Sequence, residues 1–440
     1  MKIPTMLLHW TSCAILLGMV KVTETISLSD RIEEQLPAAV VGFIRKAGEL
    51  AEKEQQRLYL VGGVVRDILL RRVSLDFDLV VEGDAIVFAK KLARANRAVV
   101  TTHPRFGTAK LQWRNREIDV TTARAESYAA PGTLPEVRPG TITDDLARRD
   151  FSVNAMAVEL NPRHFGELLD PHGGIADLKA KFIRVLHDKS FTDDATRIWR
   201  ALRYEQRLEF KIEPVTLKAL RRDIDMLDTI SGTRIRHELE RILEDELPEN
   251  ILRRAEELKV LYKLHPRLRA DYWLSETFAL TREHYSPEAP PPLLYLALLT
   301  YRLDAADTEQ LIPSLKLPGA SLRILRETQA IKEKVHELAT PGLAPSRIYD
   351  LLHGNSVLAV TANLLATDSS VTEENIELYL NVLKNVQPLL SGENLKRLGV
   401  PEGPRIKEAL LVLREAKLDG KINTSRDEEK LIKSWLKKPV

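Results

Sequence analysis

The stretch Leu58–Gly83, LYLVGGVVRDILLRRVSLDFDLVVEG, decides how the chain is read. Its apolar start predicts a strand over Leu58–Val61, then a Gly62-Gly63 turn, a short helix carrying Arg66 and Asp67, and a second strand. Asp76 and Asp78 stand in that second strand among Leu75, Phe77, Leu79, Val80 and Val81. Side chains alternate along a strand, so both carboxylates point to one face and Phe77 to the other. Two like charges on one strand face repel unless a cation lies between them, and burying them unpaired is costly. Hard carboxylate oxygens suit Mg2+, which takes one or two carboxylates together with substrate phosphates. A Gly-Gly turn at a helix start presents backbone N–H groups and the positive end of the helix dipole to an anion. Either feature alone is ordinary, since most Gly-Gly pairs are only turns and most D-x-D pairs only solvated. Joined in one strand–turn–helix–strand unit, they fit a site of nucleotidyl transfer.

Working outward, an amphipathic helix is expected over Arg31–Glu54 and another over Asp84–Asn96. Alternating segments at Ala98–Thr102, Thr108–Trp113 and Glu117–Thr121 predict a small mixed sheet, with Arg105-Phe106-Gly107-Thr108 at a turn. Asp119 lies on the last of these, where it fits a third acidic group near the metal or a structural carboxylate equally well. Glu126–Pro139, ESYAAPGTLPEVRP, is punctuated by Pro and Gly and reads as a loop. Arg148, Arg149 and Asp150 then precede an apolar stretch; guanidinium forks hold phosphates and a carboxylate can accept from ribose hydroxyls. Arg197, Arg200, Arg203 and Arg207 recur at helical spacing, a pattern that more often marks only a solvated basic face. From Lys211 onward glycine is sparse and helical periodicity dominates, interrupted by PEAPPPLL at Pro287–Leu294.

GGVVRDILL followed by DFDLVVEG resembles the first motif of the class II tRNA nucleotidyltransferase (CCA-adding enzyme) and bacterial poly(A) polymerase family. The resemblance is close over Leu58–Ile242 and looser over the last fifty or so residues. RRDFSVNAMA, beginning at Arg148, matches that family's RRDFTxNAMA string, and Asp170–Leu178 matches its DPxGGxxDL turn. Asp193-Asp194-x-x-Arg197 matches its EDxxR motif except that Asp stands first, which weakens any role for Asp193. ISGTRIRHELERIL, Ile230–Leu243, is similar to its helical neck.

The resemblance implies an α/β head of the polymerase-β type with a small mixed sheet, followed by an all-α neck, body and tail. The expected division is an N-terminal extension over 1–30, the head over 31–185, the neck with the base-recognition helix over 186–285, and a tRNA-binding helical body and tail over 286–440. It implies template-independent transfer from CTP and ATP to the tRNA 3′ end, with Asp76 and Asp78 as catalytic metal ligands and Mg2+ as cofactor. Gly62, Gly63, Arg66, Arg148, Arg149 and Asp150 are the expected triphosphate and ribose contacts. Asp194 and Arg197 are the expected readers of the base edge, with Arg200 and Arg203 on the phosphates. The segment matching Glu126–Pro139 is, in that family, a mobile loop that helps switch nucleotide choice.

Bulk properties bound these expectations loosely. The 440 residues suffice for several cores, and 65 Lys+Arg against 63 Asp+Glu leave a net charge of +2, which announces no nucleic-acid partner by itself. Cys13 is the sole cysteine, which excludes an intrachain disulfide and fits the cytoplasm. The apolar run Met6–Val20 is too short to span a bilayer, is interrupted by His9, Thr11 and Ser12, and precedes no clear cleavage site. It reads as an extension, with Met19 an alternative start, so neither membrane attachment nor a protein partner is expected. His187-Asp188 has no supporting histidines and is not read as a hydrolase signature. Poly(A) polymerase is disfavoured because HPRFGTAKL stands where an arginine-rich string is expected and no long basic tail follows. A CC-only or A-only enzyme stays open, because PGTLP departs from the loop of a full CCA enzyme. A non-catalytic RNA-binding scaffold would be expected to lose a metal aspartate, and both are present.

Overall fold

The computed structural model describes residues 26–72, 77–104, 107–130, 132–133 and 135–437. The chain divides into two compact units: 1–125 with 139–148 and 154–175, and 126–138 with 149–153 and 176–440.

The first unit is built on a seven-stranded mixed sheet of order β3-β4-β5-β2-β1-β8-β9. In chain order its elements are α1 (Ser29–Gln35), α2 (Ala38–Lys53), β1 (Arg57–Val61), α3 (Gly63–Leu69), β2 (Phe77–Glu82), α4 (Ala85–Asn96), β3 (Val99–His103), β4 (Thr108–Trp113) and β5 (Arg116–Thr122). After the ribbon β6 (Arg124–Ser127) and β7 (Glu136–Pro139) come α5 (Ile142–Ala147), β8 (Ala157–Glu159) and β9 (Leu168–Leu169). The expected helix over Arg31–Glu54 is two helices. Pro37 has no N–H to donate and disfavours helical geometry in Leu36, so α1 stops and α2 restarts with Pro37 as its cap. The expected loop over Glu126–Pro139 likewise has strands at its ends.

Burial fixes the register. Leu58, Leu60, Phe77, Leu79, Val81, Ile118 and Val120 are at most 3 % exposed. Phe88 and Leu92 of α4 are buried as well, and each such side chain contributes roughly 1.5–3 kcal/mol. Asp84 starts α4 by accepting from the N–H groups of Ile86 and Val87 at 2.9 and 3.0 Å. Tyr59, Val61, Val80, Ala123 and Ala157 form a second cluster, closed by Ile142 and Leu146 of α5.

The second unit is helical apart from the ribbon tip and the short parallel pair β10 (Phe182–Ile183) and β11 (Lys211–Ile212). Its helices begin with α6 (Gly174–Ala180, shared at its start with the first unit), α7 (Ser190–Asp193), α8 (Thr196–Leu208), α9 (Pro214–Arg222), α10 (Gly232–Leu243), α11 (Pro248–Glu257), α12 (Tyr272–Tyr285), α13 (Pro292–Thr300) and α14 (Ala305–Ser314). Leu294 to Thr300 of α13 are buried without interruption, as a helix apolar on every side must be. Helices over Gly319–Lys332 and Val357–Ala366 contribute Ile331, Ala359, Val360 and Leu364 to a further apolar cluster, and another runs from Leu390 to Leu436. At the start of α10, Gly232 lies against the last turn of α14: a Cβ there would overlap the carbonyl oxygen of Ser314.

Candidate active site

In the first unit the candidate acidic residues sit on one sheet face. β2 and β5 run parallel with Asp78 opposite Asp119, and β1 places Val61, the residue before the Gly-Gly turn, opposite Asp78. Residues paired in register share a face, so the two carboxylates are neighbours. Both are exposed, although Phe77, Leu79, Ile118 and Val120 around them are buried. Between the two readings of Asp119, this register favours membership of the acidic face. Asp76 lies outside the described residues, as do Arg105, Phe106 and the apolar run Met6–Val20. Among the described residues no group of three or more His, Cys, Asp or Glu could hold a metal ion. Asp78 and Asp119 nevertheless supply two hard oxygen donors side by side, a set that fits Mg2+ completed by water and phosphate.

Gly62 caps α3 with φ +75°, a conformation L side chains rarely adopt, and its N–H donates to Met156 O at 3.3 Å. Gly63 opens the helix as expected. Arg66 is buried: its Nε donates to Asp67 at 2.9 Å and its Nη1 to Asn154 Oδ1 at 2.7 Å. Arg148 is likewise engaged, donating through Nε and Nη2 to the fully buried Asp145 at 2.9 and 2.6 Å. Asp170 accepts from the N–H groups of Gly174 and Ile175 at 2.6 and 2.9 Å, the structural turn its motif predicts.

The second unit gathers the expected base-reading and phosphate residues around α8. Asp150 is buried, accepting from the N–H of Phe151 at 2.8 Å and from Arg200 Nε and Nη2 at 2.9 and 2.6 Å. That carboxylate holds the Arg200 guanidinium well above its ordinary pKa, against the opposing effect of burial. Arg203 grips Asp245 with two bonds, at 2.5 and 3.2 Å. Arg149 is half-buried.

Asp194 and Arg197 are one turn apart, the Arg197 N–H donating to Asp194 O at 3.1 Å, but Asp194 is not itself part of the helix. Asp194 is extended, with φ −142° and ψ 97°, and stands just ahead of α8. Asp, Ser and Thr favour such positions because their side chains satisfy the open N–H groups of a helix start. Here Asp194 Oδ1 accepts from the N–H of Thr196 at 2.9 Å and from its hydroxyl at 2.6 Å. Arg197 is 4 % exposed, and its Nη1 donates to Ser190 Oγ at 2.6 Å. The charges of Asp194 and Arg197 both act on Tyr128, whose hydroxyl donates to Glu126 at 3.1 Å. Burial, with the Glu126 charge behind it, pushes that phenol up to about 12.

The sequence reading missed Arg234, whose Nη2 donates to the same Asp194 Oδ1 at 2.7 Å. A signal was present: Arg234 lies in the first turn of α10, where the helix dipole disfavours a cation. Ser190, Glu126, Tyr128 and Asp245 carried no comparable signal.

An A-adding tRNA nucleotidyltransferase of Halalkalibacterium halodurans is 33% identical over 420 residues, covering 91% of this chain and 94% of its own length. The chain belongs to the tRNA nucleotidyltransferase family. The Poly A polymerase head domain matches residues 58–184, and the "Probable RNA and SrmB- binding site of polymerase A" matches residues 209–272. An A-adding relative from Geobacter sulfurreducens is also 33% identical, over 93% of this chain, which spans 48% of that protein's length. Among solved structures, the Thermotoga maritima CCA-adding enzyme complexed with tRNA superposes with a TM-score of 0.73 at 31% identity, covering 94% of this chain and 99% of that one. The expected architecture, a polymerase-type head on a mixed sheet with a mostly helical remainder, is therefore that of the family, and members of this kind are generally metal-dependent enzymes.

Proposed function

We propose that this chain transfers nucleotides from CTP and ATP to the 3′ end of tRNA without a nucleic-acid template, building or repairing CCA. The observation that carries the reading is the register pair Asp78–Asp119, an exposed acidic face beside the Gly62 turn on an otherwise buried sheet. Asp78, Asp76 and Asp119 would hold Mg2+, which when bound supplies Lewis-acid neutralisation of the triphosphate and of the developing 3′-oxyanion. Gly62 and Gly63 line the turn that receives phosphate, with Arg66 keeping the turn in shape.

In the second unit, Asp194 offers an acceptor and Arg197 a donor. Cytosine N4 and adenine N6 amines are donors, and cytosine N3 and adenine N1 are acceptors. The same pair therefore reads either base. Guanine and uracil present the opposite pattern. Arg200 and Arg203 hold Asp150 and Asp245 through Nε and Nη2, and would meet phosphates through their Nη1 groups. Helices of the second unit would hold tRNA mainly by its backbone and shape, which suits an enzyme serving every tRNA. Cytoplasmic residence belongs to the same proposal; among the described residues no helix is long and apolar enough to cross a membrane.

A second reading, addition of the terminal A alone, draws support from three relatives named A-adding at 33–36% identity, against four named CCA-adding at 26–27%. Purified protein supplied with tRNAs lacking one, two or three terminal nucleotides, and with CTP or ATP, tests both. Extension of all three acceptors supports CCA synthesis; extension of the CC-ended tRNA with ATP alone supports A-addition; extension of none sinks both.

A further inference from the structure

Every bond that the described residues make to the Asp194 carboxylate ends on one oxygen. Oδ1 accepts from the Thr196 N–H at 2.9 Å, the Thr196 hydroxyl at 2.6 Å and Arg234 Nη2 at 2.7 Å. Among the described residues Oδ2 accepts no such bond, which leaves it to accept from a base. The side chains of Asp194 and Arg234 are 21 % and 25 % exposed, sheltered enough for a charged hydrogen bond to hold one orientation. Thr196 belongs to α8 itself, so its two bonds fix where the carboxylate sits. Arg234 approaches from α10, far along the chain, and its planar fork fixes how the carboxylate is turned. The other arm of that fork, Nη1, points to Gly132 O at 3.4 Å. Gly132 is itself seated closely, since a Cβ on it would overlap the hydroxyl and carbonyl oxygens of Thr229, and its φ is +72°. Arg197 is locked separately through Ser190.

We propose that Arg234 is the positioning residue that turns Asp194 for base reading and so sets which bases the chain accepts. The inference rests on the proposed role of Asp194 and Arg197 as readers, and it adds the group that makes their pattern rigid. Uracil N3 and guanine N1 carry a ring N–H where cytosine N3 and adenine N1 carry a lone pair. A carboxylate held with Oδ1 saturated cannot turn to accept that N–H. Once Arg234 is removed, one of the three donors is gone and the carboxylate can rotate toward it, so rejection of U and G weakens. Preorganisation of this kind shows in selectivity more than in fold stability.

The test is equilibrium binding of ATP and UTP to the full chain, measured for wild type, Arg234→Ala, Arg234→Lys and Thr196→Val, alongside melting temperature and tRNA affinity. Loss of one charged hydrogen bond at the reader should cut the ATP-over-UTP preference about tenfold or more in Arg234→Ala. Arg234→Lys, which keeps a charged N–H donor but loses the planar fork, should recover part of it. Thr196→Val, close in volume, should shift the preference in the same direction. Unchanged preference in Arg234→Ala overturns the proposal, as does parallel weakening of ATP and UTP with a lowered melting temperature. A wild type that binds both nucleotides alike overturns it too. Because binding needs no turnover, a wild type that prefers ATP yet extends no tRNA would sink the proposed transfer reaction and leave this inference standing.

Discussion

The acidic face of the first unit and the α8 cluster of the second solve opposite electrostatic problems. Asp78 and Asp119 are exposed carboxylates set on strands whose alternate residues are buried to within 3 % of full enclosure. Around α8, by contrast, Asp150, Arg197, Arg200 and Arg203 are sheltered and bound to protein partners at 2.5–2.9 Å. The first arrangement sets two carboxylates side by side at an exposed position, within reach of an incoming cation. The second has already satisfied its charges internally and offers a fixed pattern of donors and acceptors. A site that must gather a diffusible ion profits from accessible charge, whereas one that must tell bases apart profits from rigidity.

The sharpest break of this contrast is Asp78→Ala, which should lower tRNA extension by roughly a thousandfold or more, the scale of several kcal/mol of electrostatic stabilisation. Melting temperature and tRNA binding should stay near wild type, because the removed group is exposed. Near-normal turnover in Mg2+ would remove the acidic face from the mechanism. Arg197→Ala should act on choice as well as speed. Leaving a base partner unpaired costs about 1–3 kcal/mol per group, so rejection of UTP and GTP should fall roughly 5- to 150-fold. If correct addition slows while rejection holds, α8 is not the reader.

Smaller effects sharpen the picture. Asp245→Ala strands the sheltered Arg203 guanidinium and should destabilise the second unit by about 2–3 kcal/mol in a denaturant titration; an unchanged midpoint would show that Arg203 finds water easily. Gly132→Ala should shift the ratio of CTP to ATP use a few-fold, since it must move from its seat on Thr229, at a backbone cost of about 1 kcal/mol. An unchanged ratio would disconnect that segment from nucleotide choice. The least effect belongs to Asp144, whose carboxyl is held below the usual range by the N–H and hydroxyl of Thr141. With a lowered folded pKa, its stabilisation is fully present above the ordinary carboxylate value and disappears as pH falls through the lowered one. The melting-temperature deficit of Asp144→Ala should therefore be constant near neutrality and shrink in acid; a deficit that persists at low pH would assign it to lost packing.

The strands β1 to β5 were legible because apolar alternation is local, whereas the shorter ones from β6 onward were not. Thr108–Trp113 matches β4, and Asp84 caps α4 where the predicted helix begins. Pro37 could have divided the first helix but was outweighed by the surrounding periodicity. Of the candidate site, residue types and motif order could be read, but their partners could not. Asp150 meets Arg200, Arg203 meets Asp245 and Asp194 meets Arg234 across long separations, which no spacing rule encodes. The capping geometry of Asp194 is not legible either, because i to i+3 spacing is equally compatible with a cap residue and with an interior turn.

The missing side chain of Gly232 has a reach beyond its own helix. Because α10 begins in backbone contact with Ser314, and Arg236 donates to Lys316 O one turn on, the ledge that carries Arg234 is braced by α14. Accuracy in choosing a base would then be inherited partly from a helix that supplies none of the proposed reader residues. Substitutions at the end of α14 could drift through a population as neutral by every test of folding and still change the error rate of the tRNA ends a cell carries.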